Sequence, residues 1–381
     1  MADDLSTTAA EPDPLLQLLL DGEPRTRNQL MDLTGLARST VTGRLEMLVA
    51  QEFVVPHDAA ESTGGRPPAR FRLNPAARLV LAADVGATHL SVALADLTGD
   101  ILDSTTSAQN IAAGPEAVLS ALADQARVLL DRHPTGKLAG IGVGLPGPVE
   151  HLTGRPIHPP IMPGWDSYDV VGRLTQEFGH PVLVDNDVNL MALGEHAKQY
   201  PDVEHLLFVK VATGIGAGVI SGGRLHRGAQ GAAGDIGHIQ APGHTELCRC
   251  GNTGCLEAVA SAAAIAARLR AAGLPAETSQ QIVDLVRAGN PVAIQAVRQA
   301  GREIGTVLAA CVSLLNPSVL VIGGSLSQAG DHLLAGIRET IYARSLPLAT
   351  THLEVSLSHT AHQAALHGAA ALVLQHSLGL R

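Results

Sequence analysis

Large side chains are scarce in this chain. Phe, Tyr and Trp together make up 2% of its 381 residues, and Trp165 is the single tryptophan. A core of this size has to be closed with Ala, Val, Leu and Ile, in a hydrophobic share of 46%. Cysteine is nearly as rare: of four in all, three fall between Cys248 and Cys255. Such clustering excludes a disulfide framework spread over the fold and fits a reducing cytoplasm. Long apolar runs are missing, so no stretch reaches the roughly 20 residues of a membrane helix. The acidic opening, MADDLSTTAAEPDP, has no apolar run and is not expected to be a signal peptide. Positive charge is short as well, 26 Lys and Arg against 36 Asp and Glu, for a net charge of −10. An acidic chain has no global attraction for nucleic acid or anionic membrane, so any DNA-binding surface has to be local. The length leads us to expect more than one domain.

What is present is concentrated between Gly231 and Glu257. Cys248, Cys250 and Cys255 stand in a Cys-x-Cys-x4-Cys spacing, and His238 lies ten residues before the first of them. Three thiolates and an imidazole make the ligand set of a closed tetrahedral zinc site. Gly251 and Gly254 allow the backbone to turn tightly between ligands. The alternative, buried small side chains beside a stray histidine, sits poorly with so tight a cluster in a cysteine-poor chain. A site with four protein ligands leaves no open position, so the expected Zn²⁺ is structural and fixes a loop, residues 238–255. Cys311, inside an Ala-rich helical stretch, reads as a core residue.

Asp235 and His238 lead into this loop and Glu257 follows it, short polar groups suited to a ligand rich in hydroxyls. The combined pattern His-x9-Cys-x-Cys-x4-Cys-x-Glu resembles the zinc and sugar signature of the ROK family, repressors and sugar kinases on an actin-like fold. The resemblance implies an α/β, two-lobed, ribonuclease H-like domain over residues 78–381. It also implies a sugar site built from Asn186, Asp187, Asp235, His238 and Glu257, with Asp187 the general base if the protein is a kinase. Val182–Val184 reads as a strand that delivers Asp185, Asn186 and Asp187 to a cleft. An Asn-Asp pair capping a helix that begins near Leu190 is the structural alternative.

The nucleotide side implied by the resemblance begins at the strand Leu79–Ala83. There Asp84, Gly86 and Thr88 would hold phosphate and Mg²⁺. A second, matching hairpin carries Thr213, Gly214 and Gly216, which points to internal duplication, and a third loop carries Gly323 and Gly324. This side departs from the kinase pattern. Ala87 and Ala212 stand where a glycine is usual, Ser325 replaces a third glycine, and His89 follows Thr88 where kinases often have Lys. The expectation is that the added methyls block close approach of a phosphate or a positive φ. On the sugar side the one change is Asp235 for the usual Glu.

Residues 1–13 read as a disordered lead and residues 14–77 as a winged helix-turn-helix. Pro14–Leu20 starts a short helix, Thr26-x-x-Gln29 forms a capping box for a second, and Gly35 makes the turn. On a third helix, from about Arg38 to Gln51, Val41, Leu45, Leu48 and Val49 recur at helical spacing. The outer face, Arg38, Ser39, Thr40, Thr42, Gly43 and Arg44, suits a major groove; an ordinary three-helix scaffold is the alternative. Strands at Phe53–Val55 and Phe71–Leu73 would form a wing. Its tip, with Gly65 and Arg66 in a Gly-Gly-Arg-Pro-Pro run, resembles elements that lay an arginine in a narrow minor groove. Between Pro24 and Arg78 eight Arg face five acids, a mildly basic stretch in an acidic chain.

Two functions follow from the resemblance. One is an ATP- and Mg²⁺-dependent hexose or amino-sugar kinase. The other, favoured by the added N-terminal domain and the drifted nucleotide loops, is a cytoplasmic transcriptional regulator. That regulator would be most simply a repressor, binding operator DNA and a sugar effector as a homodimer or tetramer.

Overall fold

The structure, a computed structural model, describes residues 13–57 and 69–379. The lead up to residue 12 and the wing tip with Gly65 and Arg66 lie outside the described residues. Asp13 belongs to the fold and not to a lead: its carboxylate caps helix α1 (Pro14–Leu19) by accepting from the Leu15 and Leu16 amides.

The N-terminal unit continues with β1 (Arg25–Thr26), α2 (Arg27–Thr34), α3 (Arg38–Ala50), β2 (Val54–His57) and β3 (Arg70–Leu73). Thr26 and Gln29 form the expected capping box at the head of α2. Gly35 ends that helix in the left-handed region, at φ 68°, where a side chain would be strained. Val41, Leu45 and Leu48 of α3 are buried against α1 and α2, and the three strands pair in the order β1-β3-β2. This is a winged helix-turn-helix, with the short β1 as a strand that the sequence had not announced.

Beyond it the chain forms two five-stranded sheets. The first contains β4 (Leu79–Val85), β5 (His89–Ala95), β6 (Ile101–Ala108), β7 (Leu138–Leu145) and β10 (Val182–Asn186), in the order β10-β7-β4-β5-β6. Helices α4 (Pro115–Arg132) and α5 (Val170–Phe178) cover its outer face, and a small ribbon, β8 (Val149–Glu150) with β9 (Arg155–Pro156), stands beside it. Helix α6 (Asp187–Gln199) crosses to the second sheet. That sheet holds β11 (His205–Val211), β12 (Ile215–Ser221), β13 (Arg224–His226), β14 (Val319–Gly323) and β15 (Glu354–Leu357), in the order β13-β12-β11-β14-β15. Its outer layer is α7 (Leu256–Ala260), α8 (Ala262–Ala271), α9 (Ser279–Arg287), α10 (Pro291–Leu315), α11 (Asp331–Arg344) and the short α12 (Pro347–Thr350). The last helix, α13 (Ala364–Leu378), returns to the first lobe as expected and packs on β4, β7 and α6.

The two sheets therefore sandwich a central helix pair, α6 and α13, in the two-lobed actin-like arrangement. Small residues make that pair possible. A Cβ at Gly368 would meet the Leu190 carbonyl oxygen at 1.8 Å, so only a glycine lets the two helices approach so closely. Buried Glu195 locks the neighbouring turn, accepting from the Ser358 and Thr360 hydroxyls and from the His359 and Thr360 amides. Among the described residues no helix is long and apolar enough to cross a membrane.

Candidate functional site

Four ligand atoms converge on the loop after β13. Those of His238, Cys248, Cys250 and Cys255 all lie within 4.8 Å of one another. His238 Nδ1 stands 3.7 Å from Cys248 Sγ, and Cys250 Sγ stands 3.7 Å from Cys255 Sγ. Tetrahedral zinc–thiolate bonds of about 2.3 Å require sulfur atoms about 3.8 Å apart, so the donor set and its spacing fit one such ion. Without an ion, burial pushes the Cys255 thiol up to about 12, while the Asn252 backbone amide lowers Cys250. The loop hands its order to the cleft, because Cys255 is the N-cap residue of α7 and Glu257 lies in that helix's first turn.

Of the sugar-side residues, Asn186 and Asp187 stand at the junction of β10 and α6. The helix begins at Asp187, three residues earlier than expected, since Asn186 is its N-cap. Asn186 Oδ1 accepts from the Val188 and Asn189 amides at 2.9 and 3.3 Å, and its Nδ2 donates to Gly147 O at 2.8 Å. Capping and ligand binding thus coexist in one side chain, with one amide N–H left for a ligand. Asp187 is buried, 3% exposed, and pairs with Lys210 Nζ at 2.5 Å. Burial pushes its carboxyl above the usual range; Lys210 opposes that and Asp84 adds to it. Burial also weighs on the Lys210 ammonium, but the carboxylates of Asp187, Asp84 and Glu257 outweigh it and hold its pKa above that of an ordinary lysine. Asp235 is exposed at the entrance to the metal loop, and Glu257 Oε2 accepts from the Ile215 amide at 3.2 Å.

Lys210, Arg227 and Asp185 were not anticipated as site residues. Arg227 Nε donates to buried Asp185 Oδ2 at 2.7 Å, and Asp185 Oδ1 accepts from Asn189 Nδ2 at 2.9 Å. This network ties the loop before Asp235 to the head of α6. The signal for Lys210 was available, one cation in the otherwise apolar strand LLFVKV.

The nucleotide-side residues stand at the turns of two matching hairpins and at the loop after β14. His89 Nε2 lies 3.1 Å from Asp84 Oδ2, and the imidazole pKa is raised, chiefly by that hydrogen bond. Its ring occupies the space that Gly86 leaves, 2.0 Å from where a Cβ would stand. Glu257 fills the same kind of space at Gly214, and the Phe208 ring does so at Gly323. These side chains stand over the glycines of the three loops. The expectation about the alanines is partly overturned: Ala87 and Ala212 have no positive φ, so their methyls strain nothing. Gly324, at φ +84°, is the loop glycine whose backbone needs its freedom. Thr88 and Thr213 are exposed at the loop tips.

In the N-terminal unit, Arg38, Ser39, Thr40 and Gly43 are exposed along α3, with Thr42 and Arg44 half-buried. Two of the counted arginines are paired with acids outside the counted stretch, Arg25 with Asp21 and Arg44 with Asp13, while the Arg27 and Arg78 guanidinium groups lie over the Phe71 and Phe53 rings and keep their charge.

With this geometry in hand, comparison with known proteins is informative. The profile of the ROK family matches residues 80–376. This chain belongs to the ROK family. It is 28% identical to the xylose repressor of Caldicellulosiruptor bescii over 380 residues, covering 96% of this chain and 95% of that protein. It is 33% identical to the glucokinase of Halalkalibacterium halodurans, but over 78% of this chain against 96% of the enzyme. Among solved structures, a ROK family transcriptional regulator, a homologue of the Escherichia coli MLC protein, superposes with a TM-score of 0.83. It is 28% identical and covers 96% of each chain.

Proposed function

We propose that this protein is a sugar-responsive transcriptional repressor. It would bind operator DNA through α3 and the wing and a sugar through the cleft between its lobes. One observation carries the reading. The repressor relative aligns with nearly the whole chain, whereas the glucokinase leaves out a share the size of the winged helix-turn-helix. A metabolic kinase has no use for that unit. The name of the relative makes a pentose such as xylose the first effector to try.

In this reading Asn186, Asp187, Asp235, His238 and Glu257 take the sugar hydroxyls, and a structural Zn²⁺ on His238, Cys248, Cys250 and Cys255 holds the loop that presents them. Sugar binding closes the lobes and changes how the DNA-binding units sit on a two-fold operator, in a cytoplasmic homodimer or tetramer. At the DNA, the small outer residues of α3 offer few base-specific donors. Affinity therefore rests on phosphate contacts and groove shape, with Arg66 assigned to the minor groove.

Fluorescence anisotropy on DNA from upstream of the protein's own gene, with a panel of pentoses, hexoses and amino sugars at fixed salt, tests this directly. One sugar should shift the affinity about tenfold or more. Arg38→Ala should weaken binding on every sequence and lower the salt slope by about one. No specific DNA binding, together with sugar-dependent ATP turnover lost in Asp187→Ala, would make the protein a kinase.

A further inference from the structure

β10 is an edge strand of the first sheet and β13 an edge strand of the second, and among the described residues no ladder pairs them. What joins the lobes at this point is the segment 227–235, which follows β13. Ala233 N donates to Arg227 O at 3.0 Å and closes the segment into a loop with Arg227 at its root. The loop is pinned to its own lobe where Ala217 N donates to Gly234 O at 2.8 Å. It also rests on the first lobe: a Cβ on Gly231, at φ +93°, would stand 2.6 Å from the Val149 carbonyl oxygen of β8. One ion pair fastens it there. Arg227 Nε donates to Asp185 Oδ2 at 2.7 Å, and the Asp185 side chain is 3% exposed. The other carboxylate oxygen accepts from the Asn186 amide at 2.7 Å and from Asn189 Nδ2 at 2.9 Å.

Resting on the reading that the cleft takes a sugar, we propose that Arg227 is a positioning residue for it. Through Asp185 it holds the two walls of the site in register across the cleft. Asp185 directly precedes Asn186 and Asp187 on the first lobe, whereas Asp235 and His238 follow the Arg227 loop on the second. The pair therefore sets the separation of groups that grip one ligand from opposite sides. Its energetics favour the same arrangement. A carboxylate so deeply buried is costly without its cation, so lobes that part must rehydrate Asp185, and lobes that close on a sugar restore the pair. The pair is not needed to build either lobe. No residue from 227 to 235 belongs to the apolar clusters that hold each sheet to its outer helices. Removing it loosens one lobe against the other and leaves each folded.

The test is calorimetric titration of the full-length protein with xylose, glucose and N-acetylglucosamine, for the wild type, Arg227→Gln, Asp185→Asn and the double variant. Each single change should weaken the sugar that binds the wild type by about tenfold or more. The double variant should lie within about twofold of the singles, because the two side chains act as a unit. Bound zinc and anisotropy on upstream DNA without sugar supply the readouts that separate positioning from general damage, and both should match the wild type. If Arg227→Gln does not fold, Asp185→Asn, which keeps the side chain's shape, decides by the same measure. Folded variants that bind the sugar as the wild type does would overturn the proposal, as would losses that add in full or that come with lost zinc and lost DNA affinity. In each of these cases the wild type still responds to sugar, and the sugar reading stands. A wild type that takes none of the three sugars overturns that reading and this proposal together.

Discussion

Asp84 and Lys210 occupy matching positions in duplicated hairpins, yet they live in different surroundings. The partner of Asp84, His89, is 45% exposed, so water competes for their hydrogen bond. The partner of Lys210, Asp187, is 4% exposed and takes its charge from one ammonium at the head of a central helix. The same backbone thus supports a replaceable contact in one lobe and an indispensable one in the other.

The comparison can be broken at three depths. The largest effect should come from Cys255→Ser, which removes a metal ligand while leaving a serine able to cap α7. We expect loss of bound zinc and a stability cost on the order of 4 kcal/mol, read by metal analysis and chemical denaturation. A fully stable, metal-free variant would show that the loop folds without its ion. Next, Asp187→Ala should cost about 1–3 kcal/mol, because it removes the nearest counter-charge of the Lys210 ammonium, whose side chain is 24% exposed and keeps Asp84 and Glu257 nearby. Adding Lys210→Met should recover most of that loss in a double-mutant cycle; additive losses would mean the two charges do not act as a pair. Smallest, His89→Ala should change stability by less than about 1 kcal/mol, as expected for a half-exposed pair. Its signature is in pH. The folded pKa of His89 lies above the ordinary 6.5, so its contribution is complete below that value and fades as pH rises through the folded one. Comparing the pH dependence of unfolding in wild type and His89→Ala should show this loss on the alkaline side; a difference confined to acid would contradict it.

Much of this was legible in the sequence because it depends on residue type and spacing. The cysteine cluster, the capping box at Thr26 and Gln29, the Gly35 turn and the apolar face of α3 all fold as local rules dictate. The strands that carry Asp84 and Asn186 were legible for the same reason. What escaped depends on pairing between distant segments. Lys210 becomes meaningful when β11 lies beside α6, and Arg227 when its loop reaches Asp185. The basic count of the N-terminal unit was incomplete for a related reason, since Asp13 and Asp21, outside the counted stretch, pair with Arg44 and Arg25. The side chains that stand over the loop glycines, His89, Glu257 and Phe208, escaped as well, as did the ordinary φ of Ala87 and Ala212.

The N-terminal unit is no bead on a string. Leu15, Leu19, Val41 and Phe53 belong to the same continuous core as Val80, Ala93 and Val373, and Gln17 Nε2 donates to the Gly379 carbonyl at the far end of α13. Glu52 and Lys137 add an ion pair across the same seam. Mechanically, the N-terminal unit is seated on the body it would report on and not hung from a free linker, so a shift of α13 or of the strand ends beneath it would be passed to α3 through packed side chains.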